Sequence, residues 1–128
     1  MRTIYFDYNA TTPLDPHVRE AMLPYLDEVF GNPSSVHQIG RRARALLDEA
    51  RERTAQVWSC KPSEVIFTSG GTESVNMAIF GCARHFKDKG RHIITSTAEH
   101  HAVLHSCQYL ARKEGFELTC LPVNSEAV

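Results

Sequence analysis

A phosphate or another small anion would find donors at Ser69-Gly70-Gly71-Thr72-Glu73. Two adjacent glycines let a backbone turn sharply and aim several N–H groups at one point. A helix opening there adds the unpaired N–H groups of its first turn and the positive end of its dipole. Thr72 adds a hydroxyl donor. The plainer alternative is a strand-to-helix turn that needs glycine for its geometry alone. GxxxxGK[ST] does not occur, which removes a Walker loop, and the absence of GxGxxG argues against a dinucleotide site.

The second chemical cluster is Ala98-Glu99-His100-His101-Ala102-Val103-Leu104-His105. Imidazole offers a flat face for stacking and a titration range suited to acid–base work. His101 and His105 stand four apart, as a metal-binding pair on a helix does. The glutamate of HExxH and an obvious third ligand are both missing, so no metal is expected there. Ordinary polar surface accounts for His101 and His105. It accounts less well for His100, which falls at the end of an expected strand.

Cys60, Cys82, Cys107 and Cys120 are widely spaced, form no CxxC pair, and lie neither beside a histidine nor in a glycine-framed loop. They read as reduced thiols, some packed as small apolar side chains, and none as a nucleophile.

These clusters need elements to hold them. Asp15-Pro16 is a helix start, with Asp as N-cap and Pro at the first helical position. Val18, Met22, Leu26 and Val29 mark one face, with Pro24 interrupting. Gly31-Asn32-Pro33-Ser34-Ser35 forms a loop. A longer helix follows, carrying Ile39, Ala43, Leu46, Ala50 and Val57 on one face and a solvated, charge-laced face opposite. Glu64-Val65-Ile66-Phe67-Thr68 reads as a buried strand, and residues from Thr72 to about Lys87 as a helix. His92–Ser96 is a second strand, His100–Lys113 a helix, and Phe116–Leu121 a third strand. Strand–helix–strand–helix–strand with short connections predicts an α/β fold with a parallel sheet and covering helices. In such sheets the ligand lies beyond the carboxyl ends of the strands, so Gly71, Thr72 and His100 are expected to share one crevice. Two segments are expected: helical residues 1–60, and an incomplete α/β domain over 61–128.

Four motifs follow one another along the chain. The first is Tyr5-Phe6-Asp7-Tyr8-Asn9-Ala10-Thr11-Thr12-Pro13-Leu14-Asp15-Pro16, and the second is Phe30-Gly31-Asn32-Pro33-Ser34-Ser35 with His37 and Gly40. Ile66-Phe67-Thr68-Ser69-Gly70-Gly71-Thr72-Glu73-Ser74 and Glu99-His100-His101-Ala102-Val103-Leu104 complete the set. Together they resemble the cysteine desulfurases of the NifS/IscS type, within the class V aminotransferases. The resemblance implies the N-terminal part of a fold-type I large domain, pyridoxal 5′-phosphate as cofactor, and a homodimer. It implies L-cysteine as substrate, giving L-alanine and an enzyme persulfide that passes sulfur to an iron–sulfur scaffold or another acceptor. Carried over by position, Gly71 and Thr72 bind the cofactor phosphate. His100 stacks on its ring and takes part in proton transfer, and Asn9, Ala10 and Thr11 lie near the substrate entrance.

The resemblance also implies a cofactor-binding lysine after a Ser/Gly-His pair and a mobile-loop cysteine, and neither segment occurs in these 128 residues. The isolated chain is therefore expected to be inactive. Alternatives are a related enzyme such as a selenocysteine lyase, or a non-catalytic interaction module. The bulk properties are ordinary, with 42% hydrophobic and 23% charged residues and a net charge of −1, which favour neither nucleic acid nor an anionic membrane as partner. Asp7 interrupts the apolar start where a signal peptide would continue, so a cytoplasmic location is expected.

Overall fold

The computed structural model describes residues 4–124. They fall into two compact units, Met1–Val65 and Ile66–Val128.

In the first unit α1 spans Pro16–Met22. Asp15 caps it as its motif predicts, its Oδ1 accepting from the N–H of His17 at 2.8 Å and of Val18 at 3.4 Å. Pro24 interrupts the run as expected and opens a separate single turn, α2 at Pro24–Asp27. Neither helix buries a residue, and of the expected face Val18, Met22, Leu26 and Val29, the first three stay exposed and Val29 is half-buried. The Gly31–Ser35 loop closes on itself, with Ser34 N–H donating to Asn32 Oδ1 at 2.8 Å and Ser35 N–H to Asn32 O at 3.0 Å. It then seats on the start of α3, Gln38–Val57. A Cβ at Gly31 would come within 2.5 Å of Ile39 O, and one at Gly40 within 2.3 Å of Ser35 O. Glycine is thus required at both places by backbone-to-backbone approach. The 20 residues of α3 run about 30 Å. Ala43 and Ala55 face inward, while Arg44–Asp48, Arg51–Asp48 and Arg53–Glu49 ion pairs line the outside.

The second unit contains α4 (Gly71–His85), β1 (His92–Ser96), α5 (His101–Glu114) and β2 (Glu117–Leu121). The strands pair in parallel, from His92↔Glu117 to Ser96↔Leu121. The ladder is extended at both ends by Glu117 N–H to Arg91 O and Thr97 N–H to Leu121 O. Parallel pairing needs a crossover, and α5 supplies it. Gly115 turns the chain out of α5 at φ +70°, a left-handed position that glycine takes without steric cost. Cys107, Leu110 and Phe116 form the core, with Leu110 fully buried.

One expected strand does not form. Glu64 closes a 3-10 turn, Pro62–Glu64, and the extended backbone that begins at Val65 is not a strand of the sheet, which joins β1 to β2. Apolar β-branched residues favour an extended chain, but a strand also requires a neighbour's N–H and C=O groups. Of the three expected strands, two form among the described residues. No described helix is long and apolar enough to cross a membrane.

Candidate functional site

The start of α4 is an open donor site. Gly70 precedes it at φ 164°, an extended conformation that any residue adopts, and no side chain caps the helix. A Cβ at Gly70 or Gly71 would meet no atom of the chain within 4 Å. Neither strain nor internal packing therefore calls for these glycines, in contrast to Gly31 and Gly40. The Thr72 hydroxyl takes no partner among the described residues, while the Thr72 carbonyl is held by Asn76 Nδ2 at 2.8 Å.

Around this opening the loop is braced. Glu73 Oε2 accepts from Ser69 N–H at 2.6 Å and from Ser69 Oγ at 2.7 Å. The Ser69 hydroxyl, and after it the Ser69 N–H, hold the Glu73 carboxyl below its usual range, with desolvation opposing. The carboxylate is thereby turned onto Ser69 instead of competing for the first-turn donors. Thr68 Oγ1 and Ser74 Oγ share a 2.6 Å hydrogen bond, and both hydroxyls reach Gly70 O at 3.2 Å. The spacing of Ser69 and Glu73, four apart across a helix start, was the legible sign of this brace.

Side-chain contacts bring His100 to the same end of the unit. Ser106 Oγ donates to Asn76 Oδ1 at 3.2 Å, and Arg84 holds both carboxylate oxygens of Glu114, at 2.7 and 3.2 Å. Both pairs are 30 residues apart in sequence. Between them Phe80 and Tyr109 meet edge to face at 5.6 Å. A constant offset means that α4 and α5 run side by side in the same direction, so Gly71 comes into register with His101. The helices thus begin at one end, which is also the carboxyl end of β1. His100 is the N-cap of α5, and its Nδ1 accepts from Ala102 N–H at 3.1 Å. The preference of N-caps for Ser, Thr, Asp and Asn concealed this role in the sequence.

The remaining candidates fall elsewhere. Asn9, Ala10 and Thr11 belong to the first unit, where Ala10 and Thr11 N–H groups close a turn on Asp7 O and Tyr5 Oη bonds Thr11 Oγ1 at 2.6 Å. The His101 and His105 rings stack at 5.5 Å between centroids, and no group of three potential metal ligands gathers among the described residues. All four cysteines are free thiols. Burial, followed by Cys120 and Glu99, pushes the Cys107 thiol up, away from nucleophilic use.

The class-V aminotransferase family matches residues 4–128. The chain belongs to that family. This class-V aminotransferase chain is 58% identical over 125 residues to a cysteine desulfurase IscS of Dictyoglomus turgidum, covering 98% of the chain and 32% of that protein. It is 51% identical over 123 residues to a cysteine desulfurase IscS of Methanosarcina thermophila, covering 96% of the chain and 30% of that protein. Among solved structures, a NifS-like protein superposes with a TM-score of 0.85 at 42% identity, over 94% of this chain and 33% of that one. SspA in complex with cysteine gives 0.82 at 41% identity, over 93% and 34% respectively. The resemblance to NifS/IscS-type proteins read from the four motifs is borne out, as is the α/β fold class. This class-V aminotransferase chain spans about a third of the length of the relatives it matches.

Proposed function

We propose that this chain is the N-terminal portion of a pyridoxal 5′-phosphate-dependent cysteine desulfurase, and that residues 61–128 begin its cofactor-binding domain. The observation that carries the reading is the parallel register of α4 and α5. It gathers the uncapped start of α4 and the imidazole of His100 at one end of the unit. The resemblance to relatives named as cysteine desulfurases supports the choice of reaction.

The residues present fit a phosphate-bearing ring. First-turn N–H groups behind Gly70 and Gly71, with the Thr72 hydroxyl, would hold the phosphate, and the open space at both glycines leaves it room. His100 would lie against the ring. When bound, the cofactor supplies an electron sink for chemistry at the α-carbon of an amino acid. In this reading L-cysteine is the substrate, its sulfur passes to an acceptor such as an iron–sulfur scaffold, and the enzyme is a cytoplasmic homodimer. Asn9, Ala10 and Thr11 are assigned to the substrate entrance.

Titration of the protein with pyridoxal 5′-phosphate, followed by absorbance and fluorescence, tests the anchor. The reading expects saturable binding that inorganic phosphate weakens by competition. Binding that ignores phosphate and survives disruption of Gly71 and Thr72 would count against it.

A further inference from the structure

We propose that α5 holds His100 as the neutral Nε2–H tautomer, and that His100 serves the site through that N–H as a hydrogen-bond donor. The tautomer follows from this chain's geometry alone; the role as donor rests on the cofactor reading above.

Nδ1 of His100 accepts the Ala102 N–H at 3.1 Å. An acceptor nitrogen offers a lone pair, so the single ring proton of neutral imidazole must sit on Nε2. Imidazolium has no acceptor. Protonating Nδ1 would set one donor against another and place a positive charge at the positive end of α5. The cap and the charged ring are thus mutually exclusive. Glu99 precedes the ring in sequence, and the His101 ring lies 6.3 Å away at a 57° tilt. On α4, the acidic residue of the first turn, Glu73, is engaged by Ser69.

Nδ1 is bound to the helix, so the Nε2–H edge is the one the ring offers outward. A proton entering through His100 must first break the cap, which couples proton uptake to the first turn of α5. The device recurs in the first unit, where His37 Nδ1 caps α3 by accepting from Gly40 N–H at 3.3 Å. Asp would cap equally well but add charge, and Ser would cap without a ring. Imidazole combines the cap with a flat, neutral donor.

The test is nitrogen-15 NMR of ring-labelled histidine at neutral pH without added cofactor. His100 is assigned by the signals lost in His100→Asn, and sedimented protein in the solid state serves equally well if the chain associates. The expected spectrum shows Nδ1 unprotonated and Nε2 protonated. A protonated Nδ1 overturns the proposal. Thermal melting gives a second reading. His100→Ala should lower the midpoint by about 3–6 °C, whereas His100→Asn, whose amide oxygen can cap, should stay within about 2 °C of the parent. Equal losses in both variants overturn the cap. Added pyridoxal 5′-phosphate should then shift the Nε2–H signal. A shift leaves the donor role standing; binding without a shift removes it and spares the tautomer. Absence of cofactor binding, with the tautomer intact, removes the cofactor reading instead.

Discussion

The hydroxyl of Thr72 has no partner among the described residues and stands at the first turn of an uncapped helix. Its worth to a phosphate can be estimated, since a hydrogen bond to a charged group contributes roughly 1.5–3 kcal/mol. In a full-length polypeptide carrying this chain, Thr72→Ala should weaken pyridoxal 5′-phosphate binding by about 10- to 150-fold, read by cofactor titration. The N–H groups remain, so binding weakens without vanishing. His101→Ala and His105→Ala should leave affinity and turnover nearly unchanged; strong losses there would favour a metal site over the cofactor pocket. Glu73 and Glu114 make a separate, pH-dependent contribution. Hydrogen bonds from Ser69 depress the first and the Arg84 side chain depresses the second. A carboxyl depressed in the folded state stabilises above its ordinary range, and that stabilisation drains as pH falls through and below it. Melting midpoints should therefore drop as pH falls through and below the ordinary carboxyl range, and Glu73→Gln or Glu114→Gln should flatten the profile.

Among the elements, α4 and α5 are fastened by polar and aromatic contacts on one seam. Ser106, 4% exposed, has one hydroxyl proton, which Asn76 Oδ1 at 3.2 Å and Ala102 O at 2.7 Å share as acceptors. Ser106→Ala leaves Asn76 Oδ1 without its donor inside a half-buried contact, at a cost of about 0.5–1.5 kcal/mol in denaturant unfolding. The end of α3 carries an opposite opportunity. Ser59 adopts φ +52°, a left-handed conformation that costs an L-residue roughly 1–2 kcal/mol. Cys60 N–H meanwhile closes the turn on Ala55 O at 2.9 Å. Ser59→Gly relieves the strain and loses part of the gain to chain entropy, so a net stabilisation of about 0.5–1 kcal/mol is expected. An unchanged unfolding midpoint would show that the turn carries no strain.

For the molecule as a whole, exposed apolar surface is the dominant feature. β1 has a ladder on one edge only among the described residues, and Ile94 is 62% exposed. An apolar groove of about 490 Å³ lies beside it, lined by Ile79 and Cys82 of α4 and by Phe86 just after it, with Ile93, Val103 and Phe116. In the first unit Phe6, Leu26, Phe30, Val57 and Trp58 stand open. Surfaces of this kind bind hydrophobic dyes and associate. The isolated chain should do both, as dye fluorescence and sedimentation can show; a monomer that binds no dye would contradict it. It should also release no sulfide from cysteine, because no Ser/Gly-His-Lys segment is present. Sulfide release that survives replacement of all four lysines would refute that expectation.

Local chemistry alone determined much of this protein. Asp15-Pro16 specified a helix start, Pro24 a break, and Gly115 a helix end, because each acts through its own backbone or the next few residues. The strand His92–Ser96 was likewise legible from its composition, and the four motifs sufficed to point to the family. Other features depended on partners distant in the chain. Residues 65–68 are strand-like in composition but are not assigned to the β1–β2 sheet, since pairing belongs to two segments and not to one. Gly31 and Gly70 look alike in sequence, yet a Cβ at the first collides with Ile39 and at the second meets open space. The parallel register that puts Gly71 and Thr72 at the same end as His100 is made by pairs 30 residues apart. The tautomer of His100 was beyond any sequence rule, because it is set by which nitrogen faces the first turn of α5, and only the folded helix decides that.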